Sequence, residues 1–456
     1  MKNFSYFSFI LLLLCTTVSQ SQTKRWTIEE TVKYALDNNI SIKQSELDIR
    51  VADIDKKAAI GSFLPSINAS GSHSWNIGLS MNPVTYTQET QTLQYTSADI
   101  NVGIDLYNGL QNQNRLHRAK LATLASQYNL SKMKDDVSLN VANAFLQILF
   151  NKENLKVQTE LLENNKRQME RTTELVNAGS VPRGDLMDMR ATVATSNQQV
   201  VAAENALLIS KLSLAQLLQL EDFKDFDVAE VDADVTESVA MLQTPDAILQ
   251  KAREERMEIK IARTNLELAE RDVKIAKGAY QPSLRGFYSF GSNISYSNRI
   301  LGTDINGDPI VAGPLPFFTQ FSDNKGHNFG LQLNIPILNG FATSNAVART
   351  NVTLDRYKIA YSQAELDLER NVYQAFTDAR GALNAYESAV AAVEARQEAF
   401  NYANEKYNVG MMNAFDFNPA QTLFANAQSE VIRAKYDYIF RVKVVEFYFG
   451  IPIIQN

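Results

Sequence analysis

The sequence predicts a mainly α-helical chain that contributes four β-strands to a membrane β-barrel, which three copies would complete with twelve strands. Three patterns lead to this fold class: an internal duplication, a pair of alternating apolar and polar segments in each half, and a helical run of about 68 residues in each half. Of the 456 residues, 45% are hydrophobic and 21% are charged, a composition that favours a folded protein over a disordered one.

Residues 1–21 are predicted to be a secretory signal peptide. Lys2 precedes a short apolar run from Phe7 to Val18, and small residues near its end offer cleavage sites. Cys15 follows Leu14, whereas a lipoprotein signal has a small residue before its cysteine, so ordinary cleavage is favoured over lipidation. No later stretch reaches about 18 consecutive apolar residues, and the sequence therefore predicts an exported chain without a transmembrane helix.

The composition excludes several classes of function. A formal net charge of -7 supplies no basic face for the phosphates of a nucleic acid. The chain has one cysteine, inside the predicted signal peptide, and three histidines far apart, so we expect neither a disulfide nor a metal site. Because no nucleophile-elbow, zinc-protease or phosphate-loop motif occurs, the sequence predicts a protein that is not an enzyme and needs no cofactor.

The mature chain is predicted to be a tandem duplication. Thr27–Ser66 aligns with Thr244–Ser283 and, after an insertion of about 14 residues in the second copy, Gly109 falls on Gly340. A repeat of about 220 residues is too long for a solenoid. We therefore divide the chain into a first repeat (22–220), an acidic linker (221–244) and a second repeat (245–456).

Each repeat contains two segments in which apolar and polar residues alternate, at Ile67 to Leu79 and Ala98 to Leu106 in the first and most clearly at Phe329 to Ile337 in the second. The alternation predicts strands with one apolar and one polar face, in hairpins 66–107 and 283–337 with loops at about 81–95 and 297–327. A sheet packed on a soluble core would also explain it. However, about ten residues tilted near 40° rise about 25 Å, the height of the apolar band of a membrane barrel.

Four strands cannot close a membrane barrel, and open strand edges are not tolerated in lipid. Two chains would supply eight strands, and three chains would supply twelve. Because side chains fill the interior of an eight-stranded barrel, a channel that passes a solute favours the homotrimer.

Each repeat also contains a very long helix followed by a return helix. Leu110–Ala178 and Phe341–Asn408 contain no proline and a single glycine, and each would be about 100 Å long at 1.5 Å per residue. Breaks at residues 179–182 and at residue 410 precede return helices predicted at Asp185–Leu220 and about Phe417–Phe449. A soluble coiled coil would explain these helices but would leave the alternating strands unexplained.

Short motifs in both repeats resemble TolC-like outer membrane efflux proteins. They are Trp26–Glu30, Ala35–Asn39, Gly61–Ser66, Tyr407–Gly410 with Asp416, Ala427–Gln428 and Ala434–Tyr438. The resemblance spans the mature chain. It implies a homotrimer in the cell outer membrane, a barrel continued by a long α-helical barrel in the periplasm, and export of solutes that an inner-membrane transporter delivers through a periplasmic adaptor (membrane fusion protein). The alternative is a soluble periplasmic coiled-coil adaptor of such a system.

The resemblance also implies a role for the two helix tips. Gly179, Ser180, Val409, Gly410 and Met411 lie at the turns farthest from the membrane, where members of the family dock the hairpin of the adaptor. The alternative is that the glycines only end the helices, in the left-handed conformation of a C′ residue.

Candidate gate residues, Tyr407, Asp185 and Asp416, lie at or just beyond the tips. A trimer would gather six carboxylates there, and converging like charges favour cations and bind multivalent ones. The alternative is that each aspartate caps its return helix, which we favour for Asp185, whereas for Asp416 the resemblance implies the pore constriction. Met412 stands where some members carry an arginine that ties the closed state, and Pro419 where they carry a second aspartate, so Tyr407 and apolar contacts are expected to hold the gate.

Overall fold

The structure, a computed structural model, describes residues 25–81, 87–221, 226–230 and 238–452. The predicted signal peptide, Cys15 and part of the predicted linker lie outside the described residues. The helices are α1 (Ile28–Asn38), α2 (Ile40–Gly61), α3 (Gln111–Asn177), α4 (Arg183–Leu218), α5 (Pro245–Glu255), α6 (Met257–Gly278), α7 (Phe317–Asp323), α8 (Ala342–Asn408) and α9 (Ala414–Tyr448). The strands are β1 (Arg25–Trp26), β2 (Ser66–Met81), β3 (Gln88–Asn108), β4 (Asp227–Val228), β5 (Ser283–Ser295), β6 (Arg299–Thr303), β7 (Pro309–Ala312) and β8 (Gly326–Asn334).

The four long strands form one antiparallel sheet in the order β2, β3, β5, β8, so the two predicted hairpins lie side by side. The strand that ends the first hairpin pairs with the strand that begins the second, from Tyr95 opposite Ser295 to Asn108 opposite Ser283. Successive partners also define rungs across the sheet. One rung joins Ser66, Gly103, Phe287 and Gly330.

The sheet differs from the prediction at two strand boundaries and inside one loop. β3 begins at Gln88, opposite Met81, so the first loop is shorter than residues 81–95. Its first nine residues are mostly polar on both faces, and backbone pairing with β2 extends the strand where side-chain alternation gives no signal. The second loop, predicted at 297–327, has structure of its own, the β6–β7 hairpin and α7. Finally, β8 ends at Asn334, although apolar alternation continues to Ile337.

The long helices lie where the sequence predicts them, because no proline interrupts α3 or α8. The return helices begin earlier than predicted, and α9 includes Pro419. At the start of the chain, Thr27 and Glu30 form a capping box that explains part of the N-terminal motif. By length and composition alone α4 could cross a membrane, which the count of consecutive apolar residues did not detect. Its buried face, including Leu186, Met189 and Leu214, packs within the helical part of the protein.

The chain forms two compact units that cut across the predicted repeats. One consists of Met1–Leu47, Gln127–Ile261 and Ser362–Asn456, and the other of Asp48–Ser126 and Ala262–Tyr361. Each unit contains segments of both repeats, so neither repeat is a compact unit by itself. The division into repeats and linker remains a prediction from the duplicated sequence.

A short parallel pairing between β1 and β4 joins the start of the chain to the predicted linker in the first unit. Trp26 lies between Tyr34 and Phe226, with ring centroids 5.1 and 5.9 Å away. Burial alone would raise the pKa of Asp227, but a hydrogen bond from Lys152 and the ion pair with Lys211 outweigh it and hold that pKa below its usual value. Residues 226–228 of the predicted linker are thus anchored by aromatic packing and by a pair of lysines.

A second polar cluster in the same unit surrounds Arg256, which is only 5% exposed. Its guanidinium lies 3.6 Å from the centroid of the Phe447 ring and within 3.5 Å of carboxylate oxygens of Asp135 and Glu258. Burial raises the pKa of Asp135, and Arg256 opposes this only in part. The carboxyl of Asp135 is therefore easier to protonate than an exposed one.

Candidate functional site

The apolar face of the sheet is exposed in the single chain. Ile77, Phe329 and Leu331 are 75%, 77% and 68% exposed, and they belong to the alternating apolar positions that the sequence predicts. A sheet packed on a soluble core would bury these side chains, so that alternative is wrong. A contiguous apolar face of this kind is typical of a surface that contacts lipid or another protein.

His73 lies on this face with its side chain exposed, and it contacts neighbouring side chains. Its Nδ1 lies 2.7 Å from the hydroxyl of Thr96, and its ring contacts Trp75 edge-on at 4.2 Å. The neighbouring strand pair has a similar contact, since His327 Nδ1 lies 2.9 Å from the hydroxyl of Tyr288. Both imidazoles are thus occupied by cross-strand hydrogen bonds, which stabilise the sheet.

The sheet has two open edges. Within the described part of the chain, β2 pairs only with β3, and β8 pairs only with β5. Each edge therefore presents a row of backbone N–H and C=O groups, which in lipid must be paired. Because β2 and β8 run in opposite directions, the free edge of one copy can pair with the other free edge of a second copy in an antiparallel ladder.

Both helix tips are built by the same backbone turn. At the end of α3, Gly179 has φ +72° and donates to the carbonyl of Val176, and Ser180 donates to that of Leu175. Gly410 (φ +77°) and Met411 repeat the pattern at the end of α8. These are Schellman turns, so the prediction that the glycines end the helices in a left-handed conformation is confirmed. Docking of an adaptor at the tips is compatible with it and remains a prediction.

Neither aspartate beyond the tips is a helix cap. The N-cap of α4 is Pro182, without a side-chain hydrogen bond, and Asp185 lies in the first turn. The N-cap of α9 is Asn413, whose Oδ1 accepts a hydrogen bond of 2.8 Å from the backbone N–H of Asp416. The capping role that the sequence favours for Asp185 is therefore wrong. Both aspartates occupy the third position of their helices, where a carboxylate is favourable near the positive end of the dipole.

A cleft of about 540 Å³ brings most of the predicted tip residues together. Its lining includes Ser180, Asp185, Tyr407, Val409, Gly410 and Met411. Gly179 and Asp416 are not part of this lining. The structure thus places residues from the two tips, more than 200 positions apart in sequence, around one space.

Arg171 links the two tips and was not predicted. It lies on α3 in the first repeat, and its guanidinium donates to the side chain and the carbonyl of Asn408, at 2.8 and 3.1 Å. It also lies 5.5 Å from the centroid of the Tyr407 ring, which stacks on Phe417 at 4.7 Å. A guanidinium from the other repeat thus reaches the tip where Met412 stands instead of the arginine of some members of the resembled family.

Comparisons with known proteins agree with this architecture. A family model described as outer membrane efflux protein matches residues 31–219 and 248–443. Outer membrane protein TolC of Vibrio cholerae is 25% identical over 394 residues, which cover 84% of this chain and 81% of that protein. Outer membrane efflux protein BepC of Brucella suis is 22% identical over 438 residues, covering 94% of this chain and 86% of that protein. The crystal structure of the CmeC outer membrane channel of Campylobacter jejuni has a TM-score of 0.75 at 20% identity, with 93% of this chain and 85% of that chain covered.

Proposed function

Because the chain belongs to the outer membrane efflux protein family, we propose that three copies of it form the channel of a tripartite export system, with a periplasmic adaptor and an inner-membrane transporter as partners. The family match covers both repeats and makes the chain an outer-membrane tunnel component whose helical part lies in the periplasm. The alternative of a soluble adaptor is therefore wrong.

The proposal of a trimer is supported by the sheet, which has two open edges and an exposed apolar face. A four-stranded sheet cannot satisfy its edges in lipid, and closing it with copies of itself pairs every edge. Twelve strands leave a lumen, whereas eight strands are filled by their own side chains. The polar face would then line that lumen.

Leu331→Arg, compared with Asn328→Arg, tests this arrangement. Both positions lie on β8, but Leu331 is on the apolar face and Asn328, opposite Ser289, is on the polar face. A cation on the lipid face costs about 2–4 kcal/mol near the middle of a bilayer, so Leu331→Arg should reduce the trimer in outer-membrane extracts and Asn328→Arg should not. Mass measurement in mild detergent gives the copy number. A monomer from the parent chain, or equal loss in both variants, would contradict the barrel.

We propose further that the tips dock the adaptor. Val409 and Met411 line the cleft and are 71% and 75% exposed, which leaves apolar surface in water at this tip. Val409→Asp should abolish copurification of the adaptor and export, while Val409→Thr, of similar shape and without charge, should keep both. Trimer yield is measured for each variant. Normal export by the Val409→Asp trimer would refute docking at this tip.

For the gate, we propose that Asp185, Tyr407 and Asp416 control ion passage at the periplasmic end. Asn413, rather than an aspartate, caps α9, which leaves the Asp416 carboxylate free of a capping role. Asp416→Asn should lower cation preference and relieve block by divalent cations in single-channel recordings. Asp355→Asn, which removes the same charge from an exposed ion pair with Lys358, is the control. Identical currents in the two variants would exclude Asp416 from the pore.

A further inference from the structure

In five rungs of the sheet, two large side chains interrupt an otherwise small, polar face. In the five rungs that contain Ser97 to Asp105, Arg285 is the only cation and Phe287 the only aromatic residue on that face. The other positions are serine, asparagine, glutamine, aspartate and glycine. Both exceptions lie on β5, two residues apart, so they are neighbours on the same face.

A glycine lies beside each of the two side chains. A Cβ added at Gly103 would lie 2.5 Å from Nη2 and 3.0 Å from Nε of Arg285. The guanidinium therefore occupies the space over Gly103 that any other residue would fill. A Cβ at Gly330 would lie 3.2 and 3.3 Å from the Cζ and Cε1 atoms of Phe287, so that ring lies against Gly330.

The two glycines flank Phe287 in one rung, since Gly103 and Gly330 are its partners on β3 and β8. A Cβ at Gly103 would displace the guanidinium of Arg285, and a Cβ at Gly330 would push the Phe287 ring by a few tenths of an ångström, a shift that the larger side chain of valine would increase. In a closed barrel whose polar face lines the lumen, displacement away from the wall narrows the channel.

We propose that Arg285 and Phe287 form a selectivity ring on the lumenal wall, and that Gly103 and Gly330 keep both side chains flat against it. This inference rests on the proposed function, because the polar face lines a lumen only when copies close the barrel. Three guanidinium groups at one level oppose the carboxylates of Asp99 and Asp105 on the same face and so limit the cation preference of the channel. Arg285 Nε and Asp105 Oδ1 are 4.0 Å apart.

The charge of the ring is tested with Arg285→Ala in a planar bilayer, from the reversal potential in a KCl gradient. The reversal potential should shift towards that of an ideal cation channel, because the carboxylates lose their opposing charge. Arg285→Lys, which keeps the charge, should restore the parent value. An unchanged reversal potential in Arg285→Ala would overturn the assignment of Arg285 to the lumen.

The role of the glycines is tested by conductance in double mutants. Gly103→Ala should lower single-channel conductance, and the loss should vanish in the Arg285→Ala background because no guanidinium remains to be displaced. Gly330→Val should likewise lower the conductance, and that loss should vanish in the Phe287→Ala background.

Gly78 provides the matched control, because it lies on the polar face, opposite Gln91, and a Cβ there would meet no atom within 4 Å. Gly78→Ala and Gly78→Val should conduct like the parent. The ring would be overturned if the Gly103 and Gly330 variants lost no more conductance than the Gly78 variants. It would also be overturned if their loss of conductance persisted after Arg285 and Phe287 were removed. A parent trimer that conducts no ions would instead overturn the proposed channel, and the ring with it. Arg285→Ala and Phe287→Ala only remove atoms from a partly exposed face and should therefore fold. Their conductance and reversal potential test the ring even if a glycine variant fails to fold.

Discussion

We expect the link between Arg171 and Asn408 to hold the gate closed, so removal of Arg171 should favour the open state. Arg171→Ala deletes both hydrogen bonds to Asn408 and the contact with the Tyr407 ring. These groups are exposed, and such contacts contribute about 0.2–1 kcal/mol each, so the link stabilises one chain by about 1–2 kcal/mol. If three chains open together, the trimer loses about 3–6 kcal/mol, which is about 10²–10⁴-fold in the ratio of open to closed channels.

The assay is the open probability of single trimers in a planar bilayer. Arg171→Lys should give an intermediate value, because an ammonium keeps the charge but cannot reach two acceptors in the planar geometry of a guanidinium. Arg167→Ala is the control, since Arg167 lies one turn earlier on α3 and its guanidinium bonds locally to Asn164 at 2.6 Å. The reasoning is refuted if Arg171→Ala and Arg167→Ala have the same open probability as the parent.

Three further predictions concern stability, measured as unfolding midpoints by circular dichroism in detergent. Asp227→Asn should lower the midpoint at pH 7, and the free energy of unfolding by about 1 kcal/mol, because the ion pair with Lys152 is lost. Because the pKa of Asp227 is lowered in the folded state, its carboxylate stabilises the fold at pH values above the ordinary aspartate pKa, and this stability is lost as pH falls through the folded value. The stability of Asp227→Asn should therefore fall less than that of the parent on acidification. The effect of Asp135 has the opposite sign, because its raised pKa costs stability as pH rises through the folded value. Between pH 4 and 7 the midpoint of Asp135→Asn should therefore rise relative to that of the parent, while Arg256 keeps its contact with Glu258. A difference between the two midpoints that does not change with pH would contradict this. Asn413→Ala should cost about 1 kcal/mol through loss of the N-cap, and Asn413→Asp, which can still cap, should not.

The sequence predicts the parts of the fold that follow from a repeating pattern. Alternation identifies β2, β8 and the second half of β3, because one face is apolar and the other polar. It fails for residues 88–96 of β3, where both faces carry polar residues and pairing with β2 fixes the strand. It also fails for the β6–β7 hairpin and α7, which are too short to show a period.

The sequence predicts the candidate site only where a few neighbouring residues determine the backbone conformation. A glycine after a long helical run predicts the turns at Gly179 and Gly410, since the left-handed C′ position is set by a few neighbouring residues. The cap predicted at Asp185 is wrong because α4 begins at Arg183, two residues earlier, and the sequence does not show where a helix begins. The contact of Arg171 with Asn408 joins residues 237 positions apart, and no local pattern signals it.

The pairing of β3 with β5 has a consequence for the order of folding. Tyr95 lies opposite Ser295, so about 200 residues separate partners in the middle of the sheet, whereas the β2–β3 hairpin closes within its own segment. The first hairpin can therefore form early. Its apolar face and the free edge of β3 remain exposed until β5, in the second copy of the duplicated unit, has been secreted. An unpaired edge of this length invites pairing with other chains. The interval between the export of the two halves is thus the period in which the nascent chain most needs a periplasmic chaperone.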